Sequence, residues 1–315
     1  MEYGKCIADW MIGDEVEGFY LLKSAAARTT AAGKPFLNLT VADQSGTLDG
    51  VIWDYGGPVG AADEGCAVKL RGRVSEYRGA RQLVVERIRT AGEGDHVDVS
   101  ALVPTAPVDG ESEWAYICDL AASLEDGDYA AISQEMLRRH EGELRRIPAA
   151  KSVHHSFLGG LLMHTANMLR IADFLAAQYG ETVDRSLLLA GTLLHDLAKD
   201  REFSFSPLGL AVDYSVKGQL LGHLVMGAQE VAALAAELGV PEEKSVLLQH
   251  MILSHHGEPE FGAAVRPQCA ESELLSLIDM IDSRMEIYRT ALAEVPEGEF
   301  SGRIFALEKK IYHHG

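Results

Sequence analysis

Apolar and polar positions alternate with a period of two along the first third of the chain and then switch to a helical period. Glu15 to Leu22 reads as a strand, Ala26 to Gly33 as a loop, and Pro35 to Ala42 as an alternating strand. Asp43-Gln44-Ser45-Gly46 is a turn, and Thr47 to Trp53 is the next strand. Cys66 to Val74 and Gln82 to Ile88 pair about Tyr77-Arg78-Gly79. Residues 91–112 are rich in Gly, Pro and Asp and read as linker. Helices are then expected over Glu113 to Leu124 and Gly127 to His140, with a short piece to Ile147. Longer ones run from Phe157 to Tyr179, Ser186 to Lys199, Lys217 to Leu238, Pro241 to His255 or His256, and Ser272 to Leu292. No strand pattern intervenes among them.

The fold class that follows is multidomain. An N-terminal all-β barrel over residues 1–98 and a linker over 99–112 precede an all-α bundle over 113–315. Five short strands in so little chain suit a small closed barrel, and the OB-fold is the commonest such barrel that binds oligonucleotides.

Charge changes this picture locally. The chain of 315 residues carries a formal charge of −19, which argues against coating duplex nucleic acid by bulk electrostatics. Between Lys69 and Arg89, however, Lys69, Arg71, Arg73, Arg78, Arg81, Arg87 and Arg89 face only Glu76 and Glu86. With Phe36, Trp53 and Tyr77 nearby, this is a candidate single-strand surface: cations for phosphates and flat rings for bases. Arg71, Arg73, Arg78 and Phe36 are its leading substrate-binding candidates. Cys6, Cys66, Cys118 and Cys269 are scattered without CxxC spacing, so reduced thiols in a cytoplasmic protein are expected. The acidic N-terminus lacks the apolar core of a signal peptide, and no stretch is apolar enough to span a membrane. His140 follows Arg138 and Arg139 and is expected on a solvated face.

The candidate chemistry lies in the helical part. Leu193-Leu194-His195-Asp196-Leu197 sets an imidazole and a carboxylate inside an apolar run, which is expensive without compensation. Other helices repeat the theme with His164, His223, His255 or His256, and Asp279, each among apolar neighbours. Imidazole and carboxylate without thiolate suit Mn²⁺, Fe²⁺, Co²⁺, Ni²⁺ or Zn²⁺, and a bundle core is a common place for such a site. Six candidate ligands, with Asp196 or Asp279 able to bridge, suffice for two ions and for phosphodiester hydrolysis.

Several stretches carry a specific likeness: Gly33 to Leu37 with Ala42-Asp43, His154 to His164, Gly191 to Lys199, Leu221-Gly222-His223, Ile252 to Gly257, Leu277 to Met285, and Phe305-Ala306-Leu307. The order H…HD…H…H…D on consecutive helices resembles the HD-domain superfamily of metal-dependent phosphohydrolases. Within it, the chain is similar to the YhaM-type 3′→5′ exoribonucleases, which carry an OB-fold ahead of the HD domain. The resemblance implies that His164, His195, Asp196 and Asp279 form the minimal ligand set. It adds His223 and one of the pair His255/His256, with His255 preferred. It also implies that Lys199, one helical turn after His195, contacts a substrate phosphate. His154 and His155, ahead of the first ligand helix, are substrate contacts, and Asp282 and Arg284 are supporting or substrate residues.

The expected activity is metal-dependent 3′→5′ hydrolysis of single-stranded RNA or DNA to nucleoside monophosphates. Two divalent ions are expected, Mn²⁺ first, with Mg²⁺ also among the candidates. Lys199, Asp196 and His256 are the catalytic candidates, with proton transfer to the leaving oxygen from a nearby His or from water. The rivals are an HD phosphohydrolase of free or cyclic nucleotides with a regulatory barrel, and a non-catalytic single-strand binder. Apolar helix faces to spare allow a homo-oligomer.

Overall fold

The computed structural model describes residues 2–92, 94–150, 155–293 and 295–315. It divides into two compact units: Met1–Thr105 with Phe205–Gly209, and Ala106–Ser204 with Leu210–Gly315.

The first unit is built on β1 (Glu2–Tyr3), β2 (Glu15–Thr29), β3 (Pro35–Asp43), β4 (Gly46–Trp53), β5 (Ala67–Tyr77) and β6 (Ala80–Thr90). The strand order is β2-β3-β4-β6-β5, and β5 returns to β2, so five strands close into a barrel. Every neighbouring pair in that ring is antiparallel except β4 and β6, which pair in parallel at Gly50 with Leu83 and Val51 with Val84. This is the OB arrangement expected from the strand count. One local expectation fails: the loop drawn from Ala26 is strand as far as Thr29, where Ala26 pairs with Asn38 and Thr29 with Pro35. A run of small alanines carries no alternating signal, whereas pairing with β3 past a bulge at Leu22/Ser24 satisfies its backbone.

Alternation puts Val16, Tyr20 and Leu22, then Leu37, Leu39 and Val41, inside the barrel, facing Leu70, Val74, Leu83 and Val85. Each such side chain contributes roughly 1.5–3 kcal/mol by leaving water. Trp10 joins them fully buried. Its indole N–H and the Tyr20 hydroxyl both donate to the Lys5 carbonyl at 3.0 Å, so neither polar tip is left bare.

The second unit contains α1 (Gly110–Ala122), α2 (Gly127–Leu144), α3 (Gly160–Gln178), α4 (Arg185–Leu194), α5 (Lys199–Glu202), α6 (Val216–Leu238), α7 (Glu242–Ser254) and α8 (Ala270–Leu292). A small hairpin, β7 (Phe203–Phe205) and β8 (Ala211–Tyr214), interrupts the helical succession where no strand pattern was expected. The helix α4 is the centre of the bundle: every residue from Ser186 to Leu194 is buried, as a helix that is apolar on all sides must be. At Gly191 a Cβ would stand 2.4 Å from the Met251 methyl carbon, so glycine is what lets α7 lie against α4. Among the described residues no helix is long and apolar enough to cross a membrane.

His140 departs from expectation. It lies on the buried face of α2 with Ile132, Met136 and Leu144, at helical spacing that the two flanking arginines obscure. Its ring nitrogens meet Asp200 at 2.8 Å and Glu230 at 3.0 Å, and Arg201 also pairs with both carboxylates. Burial works against charge on the imidazole, but the two carboxylates outweigh it and raise His140 to about 9. A group raised above its unfolded value near 6.5 gives stability that is complete below that value and is lost as pH rises through the folded value. The wild type should therefore lose on the order of 2–3 kcal/mol of unfolding free energy between pH 6.5 and 9.5 from this site. Denaturant titrations of His140→Gln should show that slope flattened; an unchanged slope would remove His140 as its source.

Candidate metal centre and nucleic-acid face

The site is assembled from helix ends. His195 is the residue that closes α4, and His255 closes α7. In both, the ring Nδ1 lies against the backbone carbonyl three residues earlier, Thr192 at 2.7 Å and Ile252 at 2.8 Å. A carbonyl only accepts, so Nδ1 carries the hydrogen and Nε2 is left with its lone pair. His164 on α3 and His223 on α6 reach the same state through carboxylates. Nδ1–H of His164 donates to Asp282 at 2.7 Å, and that of His223 to Glu202 at 2.9 Å. Four imidazoles from four helices thus turn Nε2 toward one point.

That point is the carboxylate of Asp196, itself almost wholly buried. Its Oδ1 faces His223 Nε2 at 3.4 Å and His255 Nε2 at 3.6 Å. Its Oδ2 faces His195 Nε2 at 3.2 Å, His164 Nε2 at 3.7 Å and the Lys199 ammonium at 2.6 Å. Asp279 approaches the His164 side at 3.4 Å. Nε2 of His195, His223 and His255, Oδ1 of Asp196 and Nδ1 of His256 are buried with no hydrogen-bond partner among the described residues. Buried polar atoms are normally satisfied, so this group of converging acceptors fits one or more divalent cations. The donor set sorts into His164, His195 and Asp196 on one side and His223, His255 and His256 on the other.

Electrostatics agree. Burial opposes charge on Asp196, yet His195 and Lys199 hold its carboxyl well below the usual range. Burial likewise opposes charge on Lys199, and Asp196 outweighs it. Burial pushes His164 down to about 3 and His256 down to about 4, and lowers His255 as well, which keeps these rings neutral and able to donate a lone pair. His195 is the exception: Asp196 beside it raises it despite its burial, which favours a proton on Nε2 that a bound cation would have to displace.

The other sequence candidates divide. Lys199, His256 and Arg284 line clefts beside the centre. His155 does not: it is buried on the Nδ1 side of His164, 3.5 Å from Asp282, where a substrate has no access. His154 lies outside the described residues. In the barrel, Lys69, Arg71, Arg87 and Arg89 line a groove of about 600 Å³ with Tyr55. Lys69 is balanced there by Glu17 and Arg71 by Glu86. Arg73 is exposed on the same strand. Arg78 sits in the β5–β6 turn over the Tyr77 ring, and Phe36 packs against the exposed Trp53 at 5.3 Å between ring centroids. Glu202 was not foreseen, because it sits in the polar run Lys199-Asp200-Arg201-Glu202 that reads as solvated surface. A candidate histidine on a neighbouring helix, needing a carboxylate behind it, is the only signal that could have found it.

Fold and site together define an HD-domain, divalent-metal hydrolase that follows an OB-type barrel in the sequence. The HD domain family model matches residues 161–284. The chain is 36% identical over 314 residues to the 3′-5′ exoribonuclease YhaM of Geobacillus sp. (strain WCH70), covering 98% of this chain and 94% of that protein. It is 36% identical over 304 residues to the 3′-5′ exoribonuclease YhaM of Bacillus subtilis (strain 168), covering 96% and 95%. Its barrel is similar to the second OB-fold domain of replication protein A from Methanococcus maripaludis, at 14% identity and a TM-score of 0.23, over 30% of this chain and 100% of that one. The chain belongs to the YhaM 3′-5′ exoribonuclease family.

Proposed function

We propose that the protein removes nucleotides one at a time from the 3′ end of single-stranded RNA, using two divalent ions, Mn²⁺ foremost, that the residues around Asp196 would hold. The observation that carries this reading is the Asp196 carboxylate, whose two oxygens face two different histidine groups. His164, His195 and Asp279 would hold one ion, and His223 with His255 the other. Bound ions supply Lewis-acid stabilisation of the phosphoryl oxygens and ease deprotonation of the attacking water.

The protein's own groups do the rest. Lys199, oriented by Asp196, places a positive charge at the cleft wall, where it offsets charge developing on phosphorus. Water oxygen bonds to phosphorus as the bond to the upstream 3′ oxygen breaks, releasing a nucleoside monophosphate. The 3′ oxygen takes up its proton from water, because burial keeps His256, half-buried on the same wall, neutral. Arg71, Arg73 and Arg78, with Phe36 and Trp53, give the barrel cations and rings for a single strand.

Product analysis on 5′-labelled single-stranded RNA tests this, with Mn²⁺, Mg²⁺, Co²⁺ and Zn²⁺ in parallel. A ladder shortening from the 3′ end, most active with Mn²⁺, is expected. Cleavage confined to mononucleotides or cyclic dinucleotides would overturn the reading.

A further inference from the structure

Two clefts lie beside the metal centre, and the residues they do not share differ in kind: more rings in one, a guanidinium and hydroxyls in the other. The larger, about 570 Å³, is walled by Phe203, Tyr214, Leu221 and Phe261, with Glu202 and His223 also in its lining. The smaller, about 300 Å³, has His255 and Asp279 beside Ser276, Met280, Ser283 and Arg284. They share Lys199, His256 and Phe261. Within that wall Phe203 is buried and Tyr214 packs against it at 5.4 Å between ring centroids, while Tyr214 is 41% exposed and Phe261 69%. Large aromatic rings left open to water beside a polar centre have the composition of a ligand site rather than of a packed interior.

Hydrolysis of a phosphodiester fixes what each cleft must take. The phosphorus has to lie where the groups around Asp196 and Lys199 converge, which is where the clefts join. The two ester oxygens then lead away into different clefts, one toward the terminal nucleoside and one toward the rest of the strand. An aromatic and aliphatic wall suits a base, because every base has a flat face to stack and few of its polar edges need partners there. A wall with a guanidinium and two hydroxyls suits a sugar–phosphate backbone.

We infer that the larger cleft is the subsite for the 3′-terminal nucleoside, its base packed on Tyr214 and Phe261, and that Arg284 in the smaller cleft meets the next phosphate upstream. This rests on the exonuclease reading and adds to it a residue-level account of how the strand end is recognised. Because stacking is indifferent to base identity, the enzyme should act on all four 3′ termini while rejecting an end that carries no base.

The test is the rate of first cleavage with Mn²⁺ on three 5′-labelled RNAs: unmodified, abasic at the 3′-terminal position, and abasic at the penultimate position. Wild type should lose about 10-fold in kcat/KM on the terminally abasic RNA, mainly through KM, and much less on the penultimate one. In the Tyr214→Ala, Phe261→Ala variant the unmodified RNA should fall by a similar factor and the terminal abasic penalty should vanish. The Tyr214→Phe, Phe261→Tyr variant should restore both rate and penalty, which loss of folding would not do. Arg284→Ala should raise KM and leave the terminal penalty intact. The inference is overturned if wild type shortens RNA with no terminal penalty, or if the penalty survives in the double alanine variant. Failure of wild type to shorten unmodified RNA at all would instead overturn the exonuclease reading, and the subsite with it.

Discussion

Asp196→Asn should reduce kcat on single-stranded RNA by about 10³-fold or more and strip metal from both halves of the centre. The expectation follows from position. Asp196 faces His164 and His195 with one oxygen and His223 and His255 with the other. Asparagine keeps a single weak oxygen donor and points an amide N–H₂ at nitrogen lone pairs. Asp279→Asn, by contrast, touches only the His164 side and should leave metal on the other. Metal analysis of the dialysed proteins, together with kcat, separates the two cases.

The same substitution has a stability consequence that must be kept apart from chemistry. Lys199 is nearly buried, and its ammonium lies 2.6 Å from Asp196. Removing one member of such a pair leaves a buried charge uncompensated, at a cost of about 3 kcal/mol or more. Asp196→Asn combined with Lys199→Met should recover most of that stability and none of the activity. Metal content and kcat near wild type in Asp196→Asn would remove Asp196 from the centre of the site.

How far the sequence could be read depended on whether a residue violated its surroundings. His195, Asp196, His164 and Asp279 stand out because each interrupts an apolar helical run, and a buried polar group needs a reason. The barrel was legible for the complementary reason, since alternation survives in Val, Leu and Ile strands. It failed in the alanine run from Ala25 to Ala27, where inward and outward positions look alike. The hairpin of Phe203–Phe205 and Ala211–Tyr214 is too short to establish a period, although it supplies two of the rings beside the centre. His140 illustrates the opposite error: neighbouring arginines suggested solvent, while its spacing from Met136 and Leu144 placed it inside. His155 reads as a substrate contact because it stands just ahead of the first ligand helix in the sequence. Only the fold reveals that it lies behind His164 rather than in front of it.

Gly222 and Glu202 could not be read as a pair from sequence, and they give the second large effect. The backbone of α6 breaks at Gly222, where φ is +70° and ψ 163°, a conformation that favours glycine. The break leaves the His223 N–H as the start of a new helical segment without an intrahelical acceptor. Glu202 Oε1 accepts both that N–H and the Nδ1–H of the same residue, each at 2.9 Å. One carboxylate oxygen therefore fixes the backbone and the ring of His223 and turns Nε2 onto Asp196. Burial opposes charge on Glu202, yet its bonds with His223 hold the carboxyl below its usual value, so it serves as an anion. Glu202→Ala should weaken metal binding at the His223 side and kcat by roughly 10–100-fold, with about 1–3 kcal/mol lost from the two stranded donors. Glu202→Gln keeps an oxygen in place and should recover most of the loss in both. Metal titrations alongside kcat distinguish orientation from simple folding: equal damage from Gln and Ala, or wild-type metal affinity in the Ala variant, would show that His223 does not depend on Glu202 for its aim.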